Sequence, residues 1–255
     1  MARDRGRPLR EHLEELRWRL LITVVALLIG AGVCVAFFRS IIAVMVLPAQ
    51  GRLAGGAGGP IYTELTEILS VTVKVALLGG FILALPVIVY QIMMFVAPGL
   101  TRRERRYAFS VLPGAILSFI AGAAFAYFLI LPPVLGFLLT FGGDVAVPMI
   151  RIANYISIVV TMIFWMGLIF ETPLIMFVLS KVGVVTPQTM ARGRRYIVVV
   201  AFVAGALITP TFDPLNQALV AAPLIALYEL GIWLAKLARW SPKRRRRRRR
   251  GPNSR

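Results

Sequence analysis

The chain has 255 residues, 58% of them hydrophobic, and a net charge of +18. That apolar content speaks against a soluble core with an added anchor and reads as one integral membrane domain. The positive charge alone would suit nucleic acid, but it is distributed as membrane topology demands, so no nucleic-acid partner is expected.

Residues 1–8 are expected to be a disordered cytoplasmic start. Leu9 to Leu20 reads as an amphipathic helix at the membrane interface, with Leu9, Leu13, Leu16 and Leu20 on one stripe and Glu11, Glu14, Glu15, Arg17 and Arg19 on the polar face. It runs into a first apolar run, Leu20 to Phe38. That run is too long for a signal-peptide core, and no small-residue cleavage site follows it. The single cysteine, Cys34, lies inside it. It can form no intrachain disulfide and reads as a small packing residue. Arg39 to Leu47 suggests a short outer helix ended by Pro48, and Gly51 to Pro60, with its five glycines, a loop.

Thr63 or Thr66 is expected to cap the next helix, with Glu64 and Glu67 favourable near its positive end. The second run, Thr66 to Phe95, contains Lys74, which is expected to snorkel toward the outer headgroups. Further runs follow at Phe109 to Leu135, Tyr155 to Leu179, Ile197 to Thr209 and Leu215 to Leu234. A crossing needs about 20 mostly apolar residues. The fifth run, Ile197 to Thr209, rises only about 20 Å against a hydrocarbon core of about 30 Å. Thr209 to Pro214 then turns the chain, and so short a hairpin would thin the bilayer locally. Pro86, Pro113, Pro132, Pro133, Pro173 and Pro223 lie in or beside the runs and predict a curved bundle. The reading is therefore all-α: a polytopic protein of six transmembrane helices over residues 9–235, with two short C-terminal helices, then a basic tail over 236–255. The run Arg244 to Arg250 would be disordered and lie against anionic membrane lipids.

With the N-terminus in the cytoplasm and sides alternating, 25 of the 29 basic residues fall inside, leaving Arg39, Arg52 and Arg151 in outer loops and Lys74 within a span. The opposite orientation would violate the positive-inside bias. Both termini are then cytoplasmic, and the number of spans is even.

Catalysis is poorly provided for. The one histidine, His12, has no aspartate within plausible reach for a hydrolase triad, one His and one Cys cannot build a metal site, and no phosphate-cradling loop occurs. No enzyme activity, cofactor or metal is expected. The informative residues are acids. Glu171 falls near the midplane of the fourth span, where it either bonds a neighbouring helix or forms a polar hole in a concave, lipid-facing surface. Glu15 can pair with Arg19 four residues on. Glu104, among Arg102, Arg103, Arg105 and Arg106, is either locally neutralised or able to bind a cationic peptide.

Six motifs in register then resemble the TatC subunit of the twin-arginine protein translocase. They are His12–Leu20; Tyr90-Gln91 through Phe95, Ala97–Leu100 and Glu104–Arg106; Phe125–Phe128; Phe170–Pro173; Thr209-Pro210 with Asp213 and Gln217; and Leu227–Glu229. The Gly-rich loop and the tail lie outside the pattern. The resemblance implies a receptor and assembly core in a bacterial or archaeal cytoplasmic membrane, driven by the proton motive force. Its cytoplasmic face would bind the twin-arginine signal peptides of folded cargo. Glu15 and Glu104 would accept the two guanidinium groups, with Arg17, Phe95 and Leu100 shaping the site. Glu171 would line the concave face that takes the signal's apolar part, and Pro48 would support an outer cap. Thr209 and Gln217 would contact single-span TatA- and TatB-like subunits, and the complex would hold several copies of the chain. The alternative is a proton-coupled secondary transporter of a small solute with Glu171 as relay. No inverted or parallel repeat supports it.

Overall fold

The computed structural model describes residues 9–49, 60–96, 109, 111–140, 150–209 and 213–239. The expected disordered start, residues 51–59 of the Gly-rich loop and residues 240–255 of the basic tail lie outside the described residues. Every regular element among them is helical, as lipid demands, because a helix satisfies its backbone polar groups internally.

Helix α1 (Leu9–Ala36) carries the amphipathic start into the first span without a break. Leu13, Leu16 and Leu20 of its leucine stripe are not covered by protein, at 63%, 43% and 60% exposed. Helix α2 (Phe38–Val46) passes into a 3-10 turn, Leu47–Ala49, that contains Pro48.

Helix α3 (Glu67–Val96) is not capped by a threonine hydroxyl. The Thr63 amide donates at 2.7 Å to Glu67 Oε2, and the Glu64 amide approaches the same oxygen at 3.5 Å. A carboxylate in the first turn brings an acceptor and a negative charge to the positive end of the helix, so it displaces the weaker hydroxyl cap. Lys74 is exposed, and it is tethered. Its Nζ donates to Ser157 Oγ at 2.7 Å, on the neighbouring fourth span.

The third span is built of α4 (Leu112–Phe125), a π turn over Ala126–Ile130, and α5 (Leu131–Thr140). Pro132 and Pro133 have no N–H to return to the carbonyls of Phe128 and Leu129, and the wider turn lies where those bonds are lost. The fourth span likewise divides at Glu171 into α6 (Ile152–Phe170) and α7 (Thr172–Val182). Here Pro173 leaves the carbonyl of Ile169 without its usual donor. Gly183, at φ 90°, ends α7 in the left-handed conformation that glycine adopts without strain.

Helix α8 (Pro187–Arg192) is capped by Thr186, whose Oγ1 accepts from the Thr189 amide at 3.2 Å. Helix α9 (Arg194–Ile208) has 15 residues and rises about 22 Å, short of a full crossing as expected. Helix α10 (Pro214–Arg239) starts under Asp213, whose Oδ1 accepts the Leu215 amide at 2.8 Å. It has 26 residues and is not short. Ala235 to Ala238 favour helix, and α7 engages its end through Ser180 Oγ to the Ala235 carbonyl and Lys181 Nζ to the Ala238 carbonyl, both 3.1 Å. Among the described residues, five stretches are long and apolar enough to cross a membrane: Leu13–Ala36, Glu67–Phe95, Leu112–Leu138, Ile152–Val182 and Pro214–Ala238. With the shorter α9 between the last two, the count is six.

The core lies between α3, α4 and α6, around the fully buried Val71, Phe119, Tyr155, Met162 and Met166. Phe81 stacks tilted on Phe119 and edge-on to Phe164. Helix α1 packs chiefly on α3, through small residues. A Cβ on Gly80 would sit 2.5 Å from the Ala31 amide nitrogen, and one on Gly30 would sit 2.8 Å from the Gly80 carbonyl. Such backbone-to-backbone approach is how helices associate in lipid, where burial gives no hydrophobic gain. Cys34, buried against Gly79, is the packing residue expected.

At the end opposite the basic loops, Tyr127 and Tyr155 donate to the carbonyls of Val44 and Met45, at 2.5 and 2.8 Å, and so hold α2 against the bundle. Ile61 pairs with the strand-like stretch before α6, its amide on the Ile150 carbonyl and its carbonyl on the Ile152 amide. Arg151 clamps the same corner: Nε lies 2.6 Å from Glu67 Oε1 and Nη2 lies 2.9 Å from Glu64 Oε1.

Gly80→Ala forces the α1–α3 backbones apart and lowers stability by about 1–3 kcal/mol. Gly32→Ala, at a position on α1 with open space, stays within about 0.5 kcal/mol of the parent. Thermal melting in detergent compares the two. Arg151→Ala leaves the carboxylate of Glu67, a residue 4% exposed, without its guanidinium, and lowers the melting temperature. Arg151→Lys recovers little, because one ammonium cannot span both glutamates.

Candidate functional site

The tight crossing of α1 on α3 sets the geometry of the basic face. It brings the first turns of α1 beside the last turns of α3, and a short polar chain joins them. Arg19 Nε donates at 3.1 Å to Glu15 Oε1, and Nη2 reaches the same oxygen. Its third nitrogen, Nη1, donates at 3.1 Å to Gln91 Oε1 on α3. Glu15 and Arg19 are both mostly covered, at 19% and 16% side-chain exposure. The i,i+4 pairing read from the sequence is present. The tie to Gln91 was not foreseen, and only the presence of Tyr90-Gln91 among the family motifs hinted at it.

Arg17, two residues away, is exposed on the same stretch of α1, and Phe95 is half-buried in the last turn of α3. The structure thus gathers Glu15, Arg17 and Phe95 at one end of the α1–α3 pair. Tyr90 and Phe109 meet at 5.8 Å between ring centres, which brings the entry to the third span to the same end. Leu100 and Glu104 lie outside the described residues, between Val96 and Phe109 in the chain.

A second polar group on the basic face was also missed. Arg194 Nη2 lies 2.7 Å from Glu229 Oε2, and the Tyr228 hydroxyl donates at 2.8 Å to the Met190 carbonyl. Together they fix α8 and the start of α9 against α10. The Tyr228-Glu229 pair gave no such signal in the sequence, because its partners lie more than 30 positions away.

Glu171 sits at the break between α6 and α7. Its Oε1 is buried and has no hydrogen-bond partner. Its carboxyl meets the backbone of Phe119 on the neighbouring α4, so a bond to another helix and an unanswered oxygen occur together. Thr209, buried at the end of α9, donates its hydroxyl to the Gly205 carbonyl at 2.8 Å. The side-chain amide of Gln217 donates to the Phe202 carbonyl at 2.5 Å, closing the α9–α10 hairpin. Pro48 is half-buried in the 3-10 turn at the opposite end of the molecule. Between the π turn and α10 runs an apolar groove of about 640 Å³, lined by Phe125, Leu129 and Ile130 on one wall and by Leu215, Leu219 and Pro223 on the other. Among the described residues, no three His, Cys, Asp or Glu side chains come close enough to hold a metal ion.

Comparison with known proteins adds a family. Residues 11–223 match the family model described as Sec-independent protein translocase protein (TatC). The chain is 42% identical to the Sec-independent protein translocase protein TatC of Aquifex aeolicus, over 91% of this chain and 95% of that one. It is 37% identical to the corresponding protein of Carboxydothermus hydrogenoformans, over 91% and 94%. A chloroplastic relative from Arabidopsis thaliana is 38% identical, over 92% of this chain and 68% of its own. The fold superimposes on a crystal structure of the twin-arginine translocase receptor TatC with a TM-score of 0.78 and 41% identity, covering 89% of this chain and 99% of that one.

Removing the unsatisfied carboxylate separates stability from function. Glu171→Leu raises the unfolding free energy by about 1–3 kcal/mol, because a buried polar atom without a partner is eliminated. A melting temperature at or below that of the parent contradicts this.

Proposed function

The chain belongs to the TatC family of Sec-independent protein translocase proteins, and on that premise we propose that it is the signal receptor and assembly core of a twin-arginine translocase. It receives twin-arginine signal peptides of folded cargo on the cytoplasmic face. Glu15 is the observation that carries this reading. It is a carboxylate held in place where α1 and α3 meet, at the end of α3 that carries Phe95 and from which the chain continues toward Glu104. Two separated carboxylates suit two guanidinium forks, each able to accept charge-assisted bonds of defined geometry. Arg17, Phe95 and Leu100 shape the site around them.

The orientation follows from the charge bias: both termini lie in the cytoplasm, and the corner held by Arg151 faces outward. Pro48 then supports the outer cap. Glu171 provides the polar point on the lipid-facing side along which the signal's apolar part lies. Gln217 and Thr209, at the short α9–α10 hairpin, meet single-span partner subunits of TatA and TatB type, and the working complex contains more than one copy of the chain. The family is a protein-transport family and not an enzyme family. No observation favours the small-solute transporter, which would have to use Glu171 alone as its relay.

Glu15→Ala and Glu104→Ala each weaken binding of a synthetic twin-arginine signal peptide by about tenfold or more, because each removes one charge-assisted contact. The protein still inserts and melts like the parent. Anisotropy titration of the purified protein reads this directly, and unchanged affinity in both variants refutes the site.

A further inference from the structure

In the resting chain a guanidinium already lies on Glu15, and it belongs to Arg19. We infer that Arg19 is a resident competitor which a signal arginine must exchange with at Glu15, so that Arg19 sets the binding threshold of the receptor. This inference rests on Glu15 being a signal-binding carboxylate.

The geometry favours exchange over simple addition. Two nitrogens of Arg19 converge on one oxygen of Glu15, and both side chains are largely covered, so a second guanidinium approaching that oxygen meets a like charge. The third nitrogen is held by Gln91 from the other helix. When Arg19 gives up Glu15 it keeps an acceptor and is not stranded as an unpaired buried charge. Exchange of arginine for arginine conserves the fork. A lysine would replace a fork with a single point charge, so its exchange runs uphill.

A resident competitor divides the affinity of every ligand by the same factor, namely the fraction of time the carboxylate is available. It therefore raises the threshold without altering the ratio between ligands. A paired-lysine signal, already the weaker binder, is the one pushed out of the working range.

The test uses the full chain in nanodiscs of phosphatidylethanolamine and phosphatidylglycerol, titrated with a fluorescent twin-arginine signal peptide and with its Lys-Lys counterpart. Arg19→Gln is expected to tighten both by about three- to tenfold while leaving their ratio unchanged. Arg19→Lys falls between it and the parent, and Gln91→Leu, which removes the acceptor that Arg19 keeps on release, weakens both peptides. A purely structural role for Arg19 gives the opposite sign, a loss of affinity. Weaker or unchanged binding by Arg19→Gln, or a changed ratio, overturns the inference. If Arg19→Gln does not fold, Arg19→Lys decides by the same criteria. Glu15→Gln is run alongside. Unchanged affinity there refutes the reading of Glu15 itself, whereas a loss there with no gain in the Arg19 variants refutes only the exchange.

Discussion

Helix α1 depends on one seam. It packs chiefly on α3, and the seam is closed by glycines because lipid offers no hydrophobic reward for holding two helices together. Close contact between backbones replaces that reward with dispersion and shape. The position of Glu15 follows directly. It lies on the stretch of α1 that precedes the span, so its distance from Gln91 and Phe95 is fixed by how deeply Gly30 and Gly80 allow the two helices to meet. A carboxylate on the basic face is thus placed by residues without side chains within the first two spans.

The two ends of the bundle treat charge differently. On the basic face, arginines outnumber acids in the sequence, and two of the described acids are shared: Glu15 with Arg19, Glu229 with Arg194. On the opposite face the balance reverses locally, and two glutamates clasp the single Arg151. That clasp, the Ile61 bridge and the two tyrosine hydroxyls on α2 make the outer corner stiff. Glu171 stands apart, an acid inside a span with one oxygen unanswered. Such an atom is costly in a folded protein.

Much of this was legible in the chain itself. Long apolar runs and the alternation of arginines gave the number of spans, and prolines marked the breaks at Glu171 and after the π turn. The Glu15–Arg19 pair followed from helical spacing. What escaped were contacts between distant segments, since a period along the chain says nothing about which helices touch. Ser157 under Lys74, Gln91 beside Arg19 and Arg151 between Glu64 and Glu67 are all of that kind. The cap of α3 was misjudged because the side chain that reaches back is longer and charged, and it outcompetes the hydroxyls. The length of α10 was underestimated because apolarity was used as a ruler, whereas α7 holds the polar end of that helix in place.

The wide turn at Ala126–Ile130 has one further consequence. It contains one residue more than a regular α-helical turn requires. Leu131, Val134 and Leu135, all nearly or fully buried beyond it, keep their phase toward the core because the wide turn absorbs that extra residue locally. Winding the extra residue into an unbroken α-helix would swing the distal half by about 100° and advance it by about 1.5 Å, turning that apolar edge toward the acyl chains. Excising one of the five would instead close the helix with its distal half still in phase. The bulge therefore acts as a slack coil, and a gap at this point in an aligned sequence would signal a regular third span with the same buried edge.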